Sequence, residues 1–305
     1  MALDLQQLHP MFTAEVRGID LREPLGANNI AAIEAAITEH GVLVFRNQPL
    51  SQAEQVRFAE SFGPLDVGLG KLYGKGQRPH RYDYETLLDI SNVELDGSVA
   101  ERESRKNMSN LANQLWHSDS SFQTPKAQYS MLSAAVIPPT GGDTEFADLR
   151  AAYDTLPDEL RCEISGRCAE HYALHSRIAL GDDGYTAEQL AAIPAVQWPL
   201  AQRHPISGRP ILFVGVHARR ILDYPLAEGR VLLGDLLEHA TQRQFVYRHQ
   251  WQVGDLVMWD NRCTIHRGRR YDLTVRREMR RTTTDDLLPV IPLDDSAAAL
   301  AMSAG

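Results

Sequence analysis

The sequence predicts a mainly β protein with peripheral helices, built on a double-stranded β-helix, that is, a jelly roll. Three observations predict it. Many short apolar or alternating runs are divided by turn residues, the pattern of closed all-β folds. His117 and Asp119 look for a third ligand, and the best candidate, His266, lies 149 positions on (266 − 117). Residues 148–200 are locally helical between stretches of strand character, which marks an insertion packed outside a sheet.

Taken in order, residues 12–21 partly alternate and read as a strand. Residues 29–40 carry Ile30, Ile33 and Ile37 at helical spacing, and Gly41 supplies the stop before a buried strand over 42–45. Ser51 and Glu54 form a capping box that opens a helix to Gly63. Residues 64–85, rich in glycine with Lys71, Lys75, Arg78 and Arg81 between, read equally as a basic lid over a substrate or as a surface loop. A strand over 89–94 and a polar connection over 96–110 lead to a strand carrying His117. An apolar strand over 127–137 and a turn over 138–143 precede strand residues 144–146. The insertion is expected to be helical at 148–153, 157–165 and 186–193. After a turn at 204–209 come a strand at 211–216 and an amphipathic helix at 227–242. A hairpin across Val253-Gly254 would join 245–251 to 255–259, and a strand at 276–284 ends the core.

At 305 residues the length leans towards two domains, but all-β folds reach this size as one. The expected organisation is one jelly-roll domain over 1–293 with its helical insertion, then a flexible alanine- and serine-rich tail over 294–305. A net charge of −9 argues against nucleic-acid partners. The local basic stretches 71–81 and 267–281 suit a small anionic ligand drawn into a pocket. No run is long and apolar enough for a membrane span, and the N-terminal stretch shows no secretory pattern. Cys162, Cys168 and Cys263 are odd in number and form no CxxC, as expected of reduced thiols in a cytoplasm.

The chemistry centres on Trp116-His117-Ser118-Asp119. On an extended strand, residues two apart share a face, so one imidazole and one carboxylate can aim at a common point. With His266 they would make two histidines and a carboxylate, the ligand set of non-haem Fe(II) oxygenases. Arg277 and Arg281 are four apart, so they share one strand face while Arg276 and Arg280 share the other. An inward pair of arginines needs anionic partners, and no carboxylate of their own strand face lies between them. Two acidic ligands are therefore expected.

The segments NQLWHSDSSF, PTGGDTEFADLRAAYD, ATQRQFVYRH and GDLVMWDNRCTIHRGRRYD, together with RREMRRTTT, carry a resemblance over nearly the whole chain. The sequence resembles the Fe(II)/2-oxoglutarate dioxygenases of the taurine dioxygenase superfamily, and in it the members that act on aryloxyalkanoates. The resemblance implies His117, Asp119 and His266 as iron ligands. It implies Thr144 and Arg277 at the distal carboxylate of 2-oxoglutarate and Trp259 as an indole walling the iron. Arg281 would take the acid group of the main substrate, and Asn113 would line its pocket. Where taurine-specific members carry a His-x-x-Tyr contact, this chain has Gly68 and Lys71, which argues against taurine and suits a larger organic anion. The implied reaction uses Fe(II), 2-oxoglutarate and O2 to hydroxylate the carbon next to the ether oxygen of, for example, 2,4-dichlorophenoxyacetate, giving a phenol and glyoxylate.

Three other readings stay open from the residues alone: a dioxygenase for an aryloxypropionate or alkylsulfonate, a zinc hydrolase, and a non-catalytic jelly-roll binding protein. Zinc also accepts two histidines and a carboxylate, but no general base is evident and the inward arginines would then lack a purpose. A homo-oligomer is also open.

Overall fold

A computed structural model describes residues 3–68, 81–182 and 184–293. The N-terminal third holds β1 (Asp4–Gln7), β2 (Ala14–Arg17), α1 (Ala27–His40), β3 (Val42–Phe45), α2 (Gln52–Glu60), β4 (Leu88–Asp89) and α3 (Arg105–Leu111). There follow β5 (Ala127–Val136), β6 (Thr144–Asp148), α4 (Leu149–Asp154), α5 (Asp158–Ile164), β7 (Cys168–His171), α6 (His175–Ala179), α7 (Ala187–Ala191) and β8 (Val196–Pro199). The last third adds β9 (Ala201–Arg203), β10 (Pro210–Leu212), β11 (Ala218–Ile221), α8 (Leu226–Ala240), β12 (Val246–His249), β13 (Leu256–Asp260), β14 (Thr264–Gly268), β15 (Glu278–Asp285) and β16 (Ile291–Pro292).

A seven-stranded sheet, ordered β1-β2-β3-β13-β5-β15-β4, faces a three-stranded sheet, β12-β6-β14. These are the two walls of the jelly roll. The side-chain alternation of the central strands explains why both faces of the large sheet are covered. Leu43, Phe45, Tyr129, Met131, Leu256 and Met258 point outward and pack against Ile33 and Ile37 of α1 and Phe58 of α2. Val42, Val44, Leu132, Val257 and Trp259 point inward and meet Phe146 of β6 across the barrel. Two further three-stranded sheets, β11-β7-β8 and β10-β9-β16, lie beside the barrel and share a core with α4 and α8.

Several sequence expectations are corrected. The strand at 12–21 shrinks to β2, that at 89–94 to β4, and that at 211–216 to β10. The connection at 96–110 contains α3, capped by Ser104, whose hydroxyl accepts from the Asn107 amide. The insertion is not helical throughout, since β7 and β8 pair with each other inside it. The hairpin across Val253-Gly254 does not form: β12 pairs with β6, whereas β13 pairs with β3 and β5. Both strands have hairpin-like sequence, but closure of a jelly roll requires the chain to cross from one wall to the other here. The cysteines, which the sequence suggests are ordinary buried thiols, are not all buried: Cys263 is, Cys168 is half-buried, and Cys162 is exposed.

The end of α1 ties the large sheet to the insertion. Gly41 adopts φ +69°, the left-handed conformation that terminates helices, and its amide donates to the Ile37 carbonyl. The buried Arg150 guanidinium donates to the free carbonyls of Thr38 (2.8 Å) and Glu39 (3.0 Å) while paired with Asp148. A Cβ at position 41 would lie 2.9 Å from that guanidinium. Gly41→Ala is therefore expected to lose about 1–2 kcal/mol from backbone conformation, plus the cost of displacing Arg150. Urea unfolding measures this, and a loss under about 0.5 kcal/mol would contradict it.

Candidate active site

His117 and His266 face each other in an isolated antiparallel bridge that extends the small sheet beyond β14. Each amide donates to the other's carbonyl, at 3.0 Å and 2.8 Å. The rings sit 4.2 Å apart by centroid. The chain leaves the bridge immediately and turns, with Ser120 at φ +47°. The strand expected at His117 is thus a single bridged residue, and Asp119 reaches the histidines through the turn, not through strand alternation.

The Asp119 carboxylate lies 3.8 Å from Nε2 of both His117 and His266, and the three ligand atoms fall within 4.8 Å of one another. All three residues are buried. Burial lowers the pKa of both imidazoles, that of His266 well below the ordinary range, so each ring is neutral and carries a lone pair. The His117 Nδ1 lies 2.7 Å from the Leu115 carbonyl, which places the proton there and leaves Nε2 as the acceptor. Burial pushes the Asp119 carboxyl up, but Arg281 foremost, and then the two imidazoles, hold it at about 2. Because the imidazoles are neutral near pH 7, Arg281 is the cation that counts there. Two neutral imidazoles and one carboxylate, none hydrogen-bonded to another, fit a divalent metal ion.

The carboxylate is fixed by residues the sequence reading did not single out. Ser130, on the inward row of β5, donates to Asp119 at 2.8 Å. Asn261 accepts from the Asp119 amide (3.0 Å) and from the Trp259 indole (3.0 Å), and its own amide donates to Ser130 (2.9 Å). The phase of β5 is the one signal that could have found Ser130. Nothing local marks Asn261 beyond its place after Trp259-Asp260.

A cavity of about 720 Å³, counting its open mouth, adjoins this cluster and is lined by His117, Asn113, Thr144, Trp259, His266, Arg277 and Arg281 together. Arg277 and Arg281 do share a face, as expected, but their surroundings differ. Arg281 pairs with Asp119, a carboxylate from elsewhere in the chain, while its Nε is buried without a partner. Arg277 is buried, and its amide donates to Asn92 Oδ1 at 2.8 Å. Among the described residues its guanidinium makes long hydrogen bonds to the carbonyls of Ile90 (3.4 Å) and Gly142 (3.5 Å) and stacks near Tyr271. Among the described residues no carboxylate pairs with it, and burial lowers its pKa. An unpaired guanidinium in a cavity wall fits an anionic ligand such as a carboxylate. Thr144 lines the same cavity, and its hydroxyl accepts from the Trp251 indole at 3.0 Å. A Cβ on Gly142, at φ +75°, would come within 3.4 Å of the Arg277 Nε, so this turn leaves room for the guanidinium.

Other candidates fall elsewhere. Lys71 and Arg78 lie outside the described residues. Arg81 is held by Glu278, Asp89 and Ser91. His204 bonds Asp260 at 3.0 Å, and Arg262 bonds the same carboxylate, which makes a fully buried network behind β13. Among the described residues no helix is long and apolar enough to cross a membrane.

The family described as "Taurine catabolism dioxygenase TauD, TfdA family" matches residues 4–283. The chain is 59% identical over 286 residues to an alpha-ketoglutarate-dependent 2,4-dichlorophenoxyacetate dioxygenase of Cupriavidus pinatubonensis, covering 94% of this chain and 99% of that one. It is 34% identical to an (S)-phenoxypropionate/alpha-ketoglutarate-dioxygenase of Sphingobium herbicidovorans, over 91% and 93% of the two chains. A crystal structure of AAD-2 in complex with Mn(II) and N-oxalylglycine superposes with a TM-score of 0.90 at 43% identity, covering 95% of this chain and 99% of that one.

The Arg281–Asp119 pair yields a prediction for the metal-free protein. Arg281→Leu leaves a buried carboxylate without its cation and is expected to lower stability by about 3 kcal/mol at pH 7. Because the folded-state pKa of Asp119 is depressed to about 2, its contribution is present above the unfolded value and is lost as pH falls through about 2. In the variant that acid limb moves to higher pH. Mn(II) supplies the missing charge, so it should raise the melting temperature of the variant more than that of the wild type. Equal metal-free stabilities at pH 7 would contradict the pairing.

Proposed function

The chain belongs to the TauD, TfdA family of dioxygenases, and from that premise we propose that it cleaves aryloxyalkanoates such as 2,4-dichlorophenoxyacetate. The enzyme is an alpha-ketoglutarate-dependent dioxygenase that uses Fe(II), 2-oxoglutarate and O2. The observation that carries the site assignment is the buried Arg277, which among the described residues has no carboxylate partner, in the same cavity as the His117–Asp119–His266 cluster. A zinc hydrolase has no evident use for that cation, and a simple binder is set aside by the family, whose relatives are dioxygenases.

On this reading Nε2 of His117, Nε2 of His266 and the Asp119 carboxylate hold the iron. When bound, iron couples decarboxylation of 2-oxoglutarate to insertion of one oxygen atom of O2 into a substrate C–H bond, leaving succinate and CO2. Arg277 and the Thr144 hydroxyl hold the distal carboxylate of 2-oxoglutarate, which points its keto-acid end at the metal cluster. Trp259, whose ring lies 4.7 Å from that of His266, walls the site and limits where a co-substrate can lie. Arg281 keeps Asp119 ionised and, as a residue lining the cavity, would take the acid group of the aryloxyalkanoate. Asn113 and its neighbours on the opposite wall hold the aryl end.

Anchoring the acid group at Arg281 places the adjacent carbon, between the carboxylate and the ether oxygen, nearest the metal cluster. Hydroxylation there gives a hemiacetal, which expels the phenol and leaves glyoxylate; no nucleophilic side chain is needed. Three thiols outside any disulfide fit a reducing cytoplasm.

The test is succinate and phenol release from a panel of aryloxyacetates, 2-aryloxypropionates and alkylsulfonates with Fe(II) and 2-oxoglutarate. Aryloxyacetates should be turned over fastest, with phenol equal to succinate. Arg277→Met is expected to raise the KM for 2-oxoglutarate by roughly 10- to 150-fold, the loss of one charge-assisted contact. Preference for a sulfonate, or succinate formed without phenol, would overturn the substrate assignment.

A further inference from the structure

We propose that Trp251 is a positioning residue that turns the Thr144 hydroxyl into a hydrogen-bond donor for the bound dicarboxylate. The proposal rests on the reading that Thr144 and Arg277 hold the distal carboxylate of 2-oxoglutarate.

An indole N–H only donates, whereas a hydroxyl has one proton and two lone pairs. The 3.0 Å contact from the Trp251 Nε1 therefore uses a Thr144 lone pair and keeps the hydroxyl proton off that side. Among the described residues Trp251 is the one recorded side-chain partner of this hydroxyl. Its proton is left for the cavity, into which Arg277 also opens. A carboxylate there receives two kinds of donor, a guanidinium and an oriented hydroxyl. Without the indole, the hydroxyl can rotate and present a lone pair to the anion instead.

Trp251 acts from behind the cavity wall. It is buried and lies two residues beyond His249, which pairs in register with Thr144 across β12 and β6. The His249 ring packs edge-on against Trp251 at 4.5 Å and 82°. His249 is itself held at 3.0 Å by Asp255, which Arg46 also bonds. The indole is thus braced in the orientation that aims its N–H at Thr144, and no other job for that N–H is visible.

The experiment measures binding of N-oxalylglycine to Mn(II)-loaded protein by calorimetry, without turnover, for the wild type, W251F, T144V, R277M and the W251F/T144V double variant. W251F should weaken binding about three- to tenfold, the loss of a single oriented hydrogen bond. The double variant should bind no more weakly than T144V alone, because the indole acts only through that hydroxyl. In turnover, W251F should raise the KM for 2-oxoglutarate and leave kcat at saturation within twofold. Trp251→Met, which also lacks the N–H, serves as a second variant if W251F does not fold. A lower melting temperature with wild-type affinity, or additive losses in the double variant, would reduce Trp251 to packing and overturn the proposal. Wild-type affinity in both T144V and R277M would instead overturn the underlying assignment of the carboxylate site.

Discussion

The structure depends on one small closure, the two reciprocal hydrogen bonds between the backbones of His117 and His266. Local sequence cannot bring these residues together, and no helix or hairpin joins them. The bridge exists only where the two ends of the barrel meet, and the two rings sit 4.2 Å apart across it. Ring placement is therefore set by backbone geometry rather than by side-chain choice. What remains is to steer one carboxylate to the same point, which the turn at Ser120 and the bonds from Ser130 and Asn261 accomplish.

Electrostatics divides the labour between two arginines on one strand face. Arg281 finds its counterion inside the chain, at Asp119, and so stabilises a metal-binding carboxylate that burial alone would protonate more readily. Arg277 finds none among the described residues, and its burial in the cavity wall lowers its pKa. A protein that leaves a guanidinium in this position gives up stability, and an anionic ligand returns it. The same strand thus serves both the metal cluster and the co-substrate. The contrast could not be read from the spacing of the arginines, which treats the two alike.

Much of the fold was legible where residues act locally. Ser51 with Glu54 specified the start of α2, Gly41 the end of α1, and the unbroken apolar runs at 42–45 and 256–259 two strands of the large sheet. What failed was partner choice. Residues 246–249 and 256–260 are both strands with a glycine turn between them, yet they belong to opposite walls, because closure outweighs the local hairpin signal. In the site, ligand types and the shared side of Arg277 and Arg281 could be read from sequence, whereas the placing of Asp119 could not, since a turn and not strand alternation delivers it. Ser130 was marked by nothing more than the inward phase of β5, and Asn261 and Trp251 by nothing local, because each acts through a hydrogen bond to a residue distant in sequence. Resemblance carried the reading further than the residues alone, since it supplied Thr144, which no periodicity singles out.

The far wall of the cavity comes from neither sheet. Asn107, Asn110 and Leu111 of α3, then Asn113 and Gln114 just beyond it, form one side of the opening. This short helix is pinned by side-chain amides: Asn107 holds the carbonyls of Ala100 and Glu101, and Asn110 that of Ser91. Reactivity and selectivity are therefore written on separable parts of the chain. A library of substitutions confined to one helical turn and its flank would vary what the opening admits, while the rigid barrel kept its oxidising centre unchanged. That modularity makes the scaffold a practical starting point for retargeting to new organic acids.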